Sequence, residues 1–351
     1  MFILIAMILW KAEPMLIAFG QDPVVSRLTA KYVHLMLPGL FFNGMYNANT
    51  IFLNAFEITA VSTVASMISL PTHCLIGWIF VYKLDMGLQG VAISMFIINF
   101  SCFLGLALYC SYLRKIREAW FAPDIDTFRQ LGEYLGLGLP GVLMIGVEWI
   151  VYEILAIFAG WIGIEELSAM SLTLNFGTLL YGASSALALS LTIFVGNAIG
   201  DKNAALAKRY RNVGISFGVL MGLAVAVFMC VARNYIPLVF TNDDGVNRIF
   251  ATCLVYYAVV FPFDAVQNEL TGVIRGIGKQ RPATIANLFC FLVLSLPGSY
   301  LFGVTLKLDL MGLFLGLGIA VVILCAGYAF VIVHEDWDKI ALRVNTKMAK
   351  N

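Results

Sequence analysis

The chain has 351 residues, 61% of them hydrophobic and 12% charged, with a mean hydropathy of +0.89. About a quarter of the residues of a soluble domain are charged, so this deficit, spread along the sequence, excludes an ordinary soluble domain and points to a polytopic membrane protein. A net charge of +1 leaves no face broadly basic, which argues against a nucleic-acid partner.

Residues 1–20 are apolar but broken by Lys11, Glu13 and Pro14, which makes a weak span. They also lack the basic start and small-residue cleavage site of a signal peptide. A membrane helix needs about 20 apolar residues. Nine stretches meet this, at 31–55, 62–82, 87–113, 132–160, 169–199, 213–240, 250–271, 283–304 and 311–333. The segments between them carry their own breakers, such as Gly20-Gln21-Asp22-Pro23 and Asn242-Asp243-Asp244-Gly245. The seven cysteines form no CxxC pair and read as small apolar fillers. His34, His73 and His334 are far apart and suggest no metal site.

Lysine and arginine in short loops set orientation. Segments 111–129, 200–212 and 275–282 hold four, four and three of them, and the tail after His334 adds four. The opposite loops carry Arg27, Lys31, Lys83, Arg248 and Lys307, which places the richer side and the C-terminus in the cytoplasm.

A repeat runs through the chain. Ser69-Leu70-Pro71 followed by Lys83-Leu84-Asp85-Met86-Gly87-Leu88 recurs as Ser295-Leu296-Pro297 followed by Lys307-Leu308-Asp309-Leu310-Met311-Gly312-Leu313. Pro14 with Asp22 and Arg27 recurs as Pro237 with Asp243 and Arg248. The copies share one orientation, a parallel repeat of the kind that builds transporters. By this arithmetic roughly 90–100 residues, about two and a half helices, are expected ahead of Met1.

Polar residues inside apolar helices are costly: a charge near the middle of a span costs at least about 2.5 kcal/mol on insertion scales. The span 140–160 carries two acids, Glu148 and Glu153. Five residues apart, they stand about 140° apart around the helix and are not expected to face one point. Tyr152, one turn from Glu148, is placed to donate a hydrogen bond to it. A buried acid that also feels a bound cation can exchange a proton for that cation. In the span 250–271, Asp264, Gln267, Asn268 and Thr271 form a polar stripe at i, i+3, i+4 and i+7. Asn43, Asn47, Thr50 and Asn54 make a second stripe, and Ser171, Asn175, Thr178 and Ser185 a third. Three stripes in one bundle point to a shared wet cavity, although interhelical hydrogen bonding explains any one alone. Glu269 is expected to reach the interface beside Arg275. Trp149, Tyr152, Trp161, Tyr181, Phe261 and Phe263 are aromatic candidates for holding an organic cation, with Trp161 equally an interfacial anchor. Pro38, Pro71, Pro140, Pro262 and Pro297 are candidate kink points.

Several motifs resemble the eukaryotic branch of the multidrug and toxic compound extrusion (MATE) family. They are Leu139-Pro140 leading to Glu148-Trp149 and Tyr152-Glu153-Ile154, then Val195-Gly196-Asn197-Ala198-Ile199-Gly200 and Phe263-Asp264-Ala265. Gly272-Val273-Ile274-Arg275-Gly276-Ile277-Gly278-Lys279-Gln280 completes the set. The resemblance covers essentially the whole chain, as the family's third to twelfth helices. It implies an all-α polytopic membrane protein of two pseudo-symmetric helical bundles around a central cavity, with about 10 of 12 helices present. An incomplete N-terminal lobe, 1–125, would hold family helices 3–6, and a C-terminal lobe, 126–351, helices 7–12 and a short cytoplasmic tail. Glu148 and Asp264 match acids the family uses for cation and proton binding, and Glu153 matches a further acid of some members. The sequence departs from the family at Phe194, where Arg is usual before Val-Gly-Asn, and at Asn175, where some animal members carry an acid. The fourth-helix pattern FLQxQ-x-x-x-P reads Phe52-Leu53-Asn54-Ala55-Phe56 with Ala60.

The expected function is therefore an antiporter, not an enzyme, exporting organic cations and xenobiotics in exchange for protons by alternating access. The proton and substrate set is Glu148, Asp264, Glu153, Tyr152, Asn175, Gln267 and Asn268, with Asn43 and Asn47 as N-lobe cavity candidates. No cofactor or metal is expected, the drive being a proton gradient with sodium as the alternative ion. Expected partners are small organic cations and the lipid bilayer, around a monomer in the plasma membrane or a vacuolar or other organelle membrane. A lipid-linked oligosaccharide flippase of the same superfamily is the alternative, though it calls for a cationic cavity to hold pyrophosphate. A truncated product that transports nothing and at most binds a full-length copy is another. An intramembrane aspartyl protease needs Tyr-Asp and Gly-x-Gly-Asp motifs, and the sequence has neither.

Overall fold

The computed structural model describes residues 2–18, 23–113, 116, 131–340 and 342, and among these there is no strand. The chain divides into two compact units, Met1–Asp124 and Ile125–Asn351. The first holds α1 (Phe2–Trp10), α2 (Ala12–Ala18), α3 (Pro23–Ala55), α4 (Ala60–Trp78) and α5 (Gly87–Tyr112). Its α3 packs against α5, closely enough that a Cβ at Gly39 would stand 3.1 Å from the Phe96 backbone.

The second unit holds α6 (Leu131–Ile162), α7 (Ile164–Gly200), α8 (Ala204–Ala232), α9 (Pro237–Phe240) and α10 (Asp244–Gly276). Three further helices follow: α11 (Gln280–Leu288), α12 (Leu296–Ser299) and α13 (Asp309–Val333). Asn203 and Asp243 start α8 and α10 as side-chain caps, accepting from the Leu206 and Val246 amides at 3.0 and 3.1 Å. Half of the most apolar stretch of α10 is buried, more than in any other span, because α7, α8 and α13 all pack on it. Small residues permit this approach. A Cβ at Gly276 would lie 3.0 Å from the Thr192 carbonyl oxygen, and the Thr192 hydroxyl donates to the Gly272 carbonyl at 3.0 Å.

Among the described residues, eight helices or continuous helical runs are long and apolar enough to cross a bilayer. The ninth expected span lies in α3, which is long enough but diluted by Asn43, Asn47, Asn49 and Asn54. The weak first span is two short helices parted at Lys11. The expected span at 213–240 is also divided: α8 ends at Ala232, and Pro237 starts the separate α9. Loop 111–129 lies largely outside the described residues.

The repeat is present in the backbone, in a sharper register than the sequence matches suggest. A π-helical stretch, Ile79–Lys83, ends the α4 run, and another, Tyr300–Thr305, follows α12. Both lead into turns with paired positive φ angles, Asp85 and Gly87 in the first and Lys307 and Asp309 in the second. The Met86 amide donates to the Phe80 carbonyl and the Leu308 amide to the Phe302 carbonyl, both at 3.1 Å. Gly90 then meets the Phe80 backbone as Gly312 meets that of Phe302. All these pairs are separated by 222 residues, as 85 is from 307. The Lys83/Lys307 and Ser-Leu-Pro pairings fall outside this register, because the turn fixes it and the matched letters do not.

The basic segments of the second unit converge at one end. Lys208 pairs with Asp338 at 3.6 Å, Lys279 pairs with Glu335, and Arg211 lies 5.0 Å over the Trp337 ring. Trp337 is 2% exposed, and its indole N–H donates to the Ile332 carbonyl at 3.2 Å. The segment after α13 is thus packed onto α8 and the α10–α11 turn. This is the end that the lysine and arginine count assigns to the cytoplasm.

Candidate functional site

A cavity of about 160 Å³ opens inside the second unit, walled by α6, α7 and α10. From α6 come Glu148, Trp149, Tyr152 and Glu153, from α7 Asn175, Thr178 and Tyr181, and from α10 Tyr257 and Asp264. Among the described residues its lining includes three carboxylates and no lysine or arginine. Glu148 and Asp264 are 8% and 3% exposed, and Asp264 Oδ1 has no hydrogen-bond partner among the described residues. Both acids line the same cavity. Two close buried carboxylates favour sharing a proton or taking up a cation, since both being ionised and unpaired is costly.

Glu148 and Glu153 line this same cavity, contrary to the expectation that they face apart. At about 100° per residue, positions 148, 152, 149 and 153 fill a continuous arc of about 140° of α6, and the cavity takes up that whole arc. Glu148 lies on the buried edge of the arc and Glu153 on its exposed edge. Tyr152 also lines the cavity, but no hydrogen bond joins it to Glu148.

The polar stripe on α10 separates. Asp264 faces the cavity, whereas Gln267 and Asn268 are not among its lining residues and are buried in helix packing, 1% and 7% exposed. Gln267 Nε2 donates to the Thr271 hydroxyl at 3.4 Å. From the α7 stripe Asn175 and Thr178 reach the cavity, while Ser185 donates to the Gly182 carbonyl. In the first unit, Asn43 Nδ2 donates to Asn99 Oδ1 at 3.1 Å, and Asn47 Nδ2 donates to the Asn43 carbonyl and to Asn43 Oδ1. This bonding ties α3 to α5.

Trp149, Tyr152 and Tyr181 wall the cavity. Phe261 is buried against Tyr257, Phe263 is exposed, and Trp161 packs edge-on against Tyr300. Tyr257, absent from the expected set, is seven residues before Asp264, two turns along the same face. That spacing was the available signal. Gly177 makes room for it, since a Cβ there would sit 2.9 Å from the Tyr257 hydroxyl. Phe194, standing where the family usually has Arg, packs on Tyr210 with 5.3 Å between centroids.

Residues 1–79 and 140–301 match the MatE family. The chain belongs to that family. It is 28% identical over 345 residues to an uncharacterized transporter of Schizosaccharomyces pombe, a match covering 97% of this chain and 64% of that protein. It is 27% identical over 341 residues to multidrug and toxin extrusion protein 1 of Oryctolagus cuniculus, covering 97% of this chain and 60% of the relative. The chain therefore spans less than two thirds of the length of these relatives. The fold matches the eukaryotic MATE transporter AtDTX14 with a TM-score of 0.92 at 22% identity, over 99% of this chain and 78% of that one. Family and apolar helices together make this an integral, multi-pass membrane protein.

Proposed function

We propose that this MatE protein is a secondary antiporter that exports organic cations in exchange for protons, with Glu148 and Asp264 as the exchanging acids. The observation carrying the proposal is one cavity that holds both buried acids within a wall of Trp149, Tyr152, Tyr181 and Tyr257. The carboxylates attract a cation, and the aromatic faces stabilise a desolvated organic one. Protonation of the acids removes the attraction and releases the cargo, so proton and drug occupy the site in turn. Asn175, Thr178 and Glu153 add polar groups that orient the cargo. Similarity to multidrug and toxin extrusion protein 1 supports the substrate class. A flippase gripping pyrophosphate is less well served by a lining that, among the described residues, has three acids and no cation.

The test is efflux from vesicles under an imposed pH gradient in sodium-free buffer. Glu148→Gln and Asp264→Asn are each expected to abolish it while leaving membrane expression intact. Efflux at the parent level in both variants would rule out the assignment, and efflux only with sodium present would replace the coupling ion.

A further inference from the structure

Glu269 is not at an interface beside Arg275. It is 0% exposed, on the side of α10 that packs against α7 and α8. The Ser184 hydroxyl on α7 donates to Glu269 Oε1 at 3.2 Å, and Oε2 has no hydrogen-bond partner among the described residues. On α8 the facing residue is Gly218, where a Cβ would stand 2.6 Å from the carboxyl carbon and from Oε2. The missing side chain is what leaves room for the acid. Four residues on, Gly222 lies against Pro262 in the same way, its Cβ position 3.0 Å from the Pro262 Cα, so α8 closes over this part of α10.

Titratable neighbours are few. On α10 itself Asp264 is in electrostatic reach, and from α13 Cys325 is. The facing groups Ser184 on α7 and Gly218 on α8 do not titrate in the ordinary range. No lysine, arginine or histidine among the described residues stands within ion-pair distance of Glu269. An ionised carboxylate enclosed this way lacks both water and a counter-ion, whereas a neutral acid with one free hydroxyl is tolerated far better. Glu269 is also absent from the lining of the Glu148–Asp264 cavity, so its proton is distinct from one that competes with cargo there.

We infer that Glu269 is a second proton site, held as the neutral acid at the closed seam of α7, α8 and α10. The proton sits on Oε2 and comes from water, leaving Oε1 as the carbonyl oxygen that Ser184 contacts. The site rests on the proton-coupled reading for its use: loss of the proton leaves a bare carboxylate that favours parting of α8 from α10.

Infrared titration of the 351-residue chain in nanodiscs tests this, with Glu148→Gln, Glu153→Gln and Asp264→Asn combined to silence the three cavity acids. A protonated-carboxyl C=O band is expected at neutral pH, shifted in D₂O, moved to higher wavenumber by Ser184→Ala and lost with Glu269→Gln. Absence of such a band, or a band unmoved by Ser184→Ala, overturns the inference. The Ser184→Ala comparison decides alone if Glu269→Gln does not fold. Coupled drug movement persisting in the combined cavity variant would instead defeat the proposed function, whatever the infrared result.

Discussion

Trp149 on α6 and Tyr181 on α7 meet edge to face, their ring centroids 5.9 Å apart and their planes at 87°. Both rings also wall the cavity holding Glu148 and Asp264, so the pair sets the spacing of two of its helices. Such pairs contribute about 0.5–1.5 kcal/mol beyond their burial, and a cation over an aromatic face about as much again. Trp149→Ala and Tyr181→Ala are each expected to weaken binding of an aromatic cation by about 3–10-fold. In a double-mutant cycle the two losses should not add. Strict additivity would show that the rings act separately.

Close approach of α7 and α10 depends on glycine. At Gly272 an added methyl runs into the Ala188 backbone, whereas at Gly182 nothing lies within 4 Å. Gly272→Ala is expected to destabilise by about 1–3 kcal/mol, typical of an overpacked contact. Gly182→Ala should be neutral or stabilising by up to about 1 kcal/mol, since alanine is the better helix former. Thermal midpoints in detergent, compared side by side, check the opposite signs.

Much of this was readable from the sequence, for identifiable reasons. Apolar run lengths located the long helices, and the cost of burying charge singled out Glu148 and Asp264. The failures came where a neighbour distant in sequence decides the outcome. Nothing near Glu269 reveals that Gly218 and Ser184 enclose it, so its place near the end of the span suggested an interface. Gln267 and Asn268 share a helical stripe with Asp264, but periodicity does not tell where a cavity stops. The arc of α6 holding both Glu148 and Glu153 likewise depends on how far α7 and α10 stand off.

Trp337 anchors the segment after α13 beneath Arg211, with Lys208–Asp338 and Lys279–Glu335 around it. A fully buried Trp cut to Ala typically costs about 3–5 kcal/mol, against about 0–1 kcal/mol for a partly exposed ion pair. Trp337→Ala is therefore expected to lower the thermal midpoint and speed proteolysis after α13, while Lys208→Ala does neither. Equal effects would show that the charges, and not the indole, hold the segment.

The central claim is that protons and an organic cation compete for Glu148 and Asp264. Its most direct measurement is equilibrium binding of a labelled quaternary ammonium ion to the purified chain across a pH series, without any gradient. Deprotonated acids attract the cation, so binding should tighten as pH rises, by up to about tenfold in Kd per pH unit where one proton is displaced. In Glu148→Gln combined with Asp264→Asn the dependence should vanish along with most of the affinity. Affinity that stays constant across pH in the parent chain, or is kept in the double variant, would contradict the account.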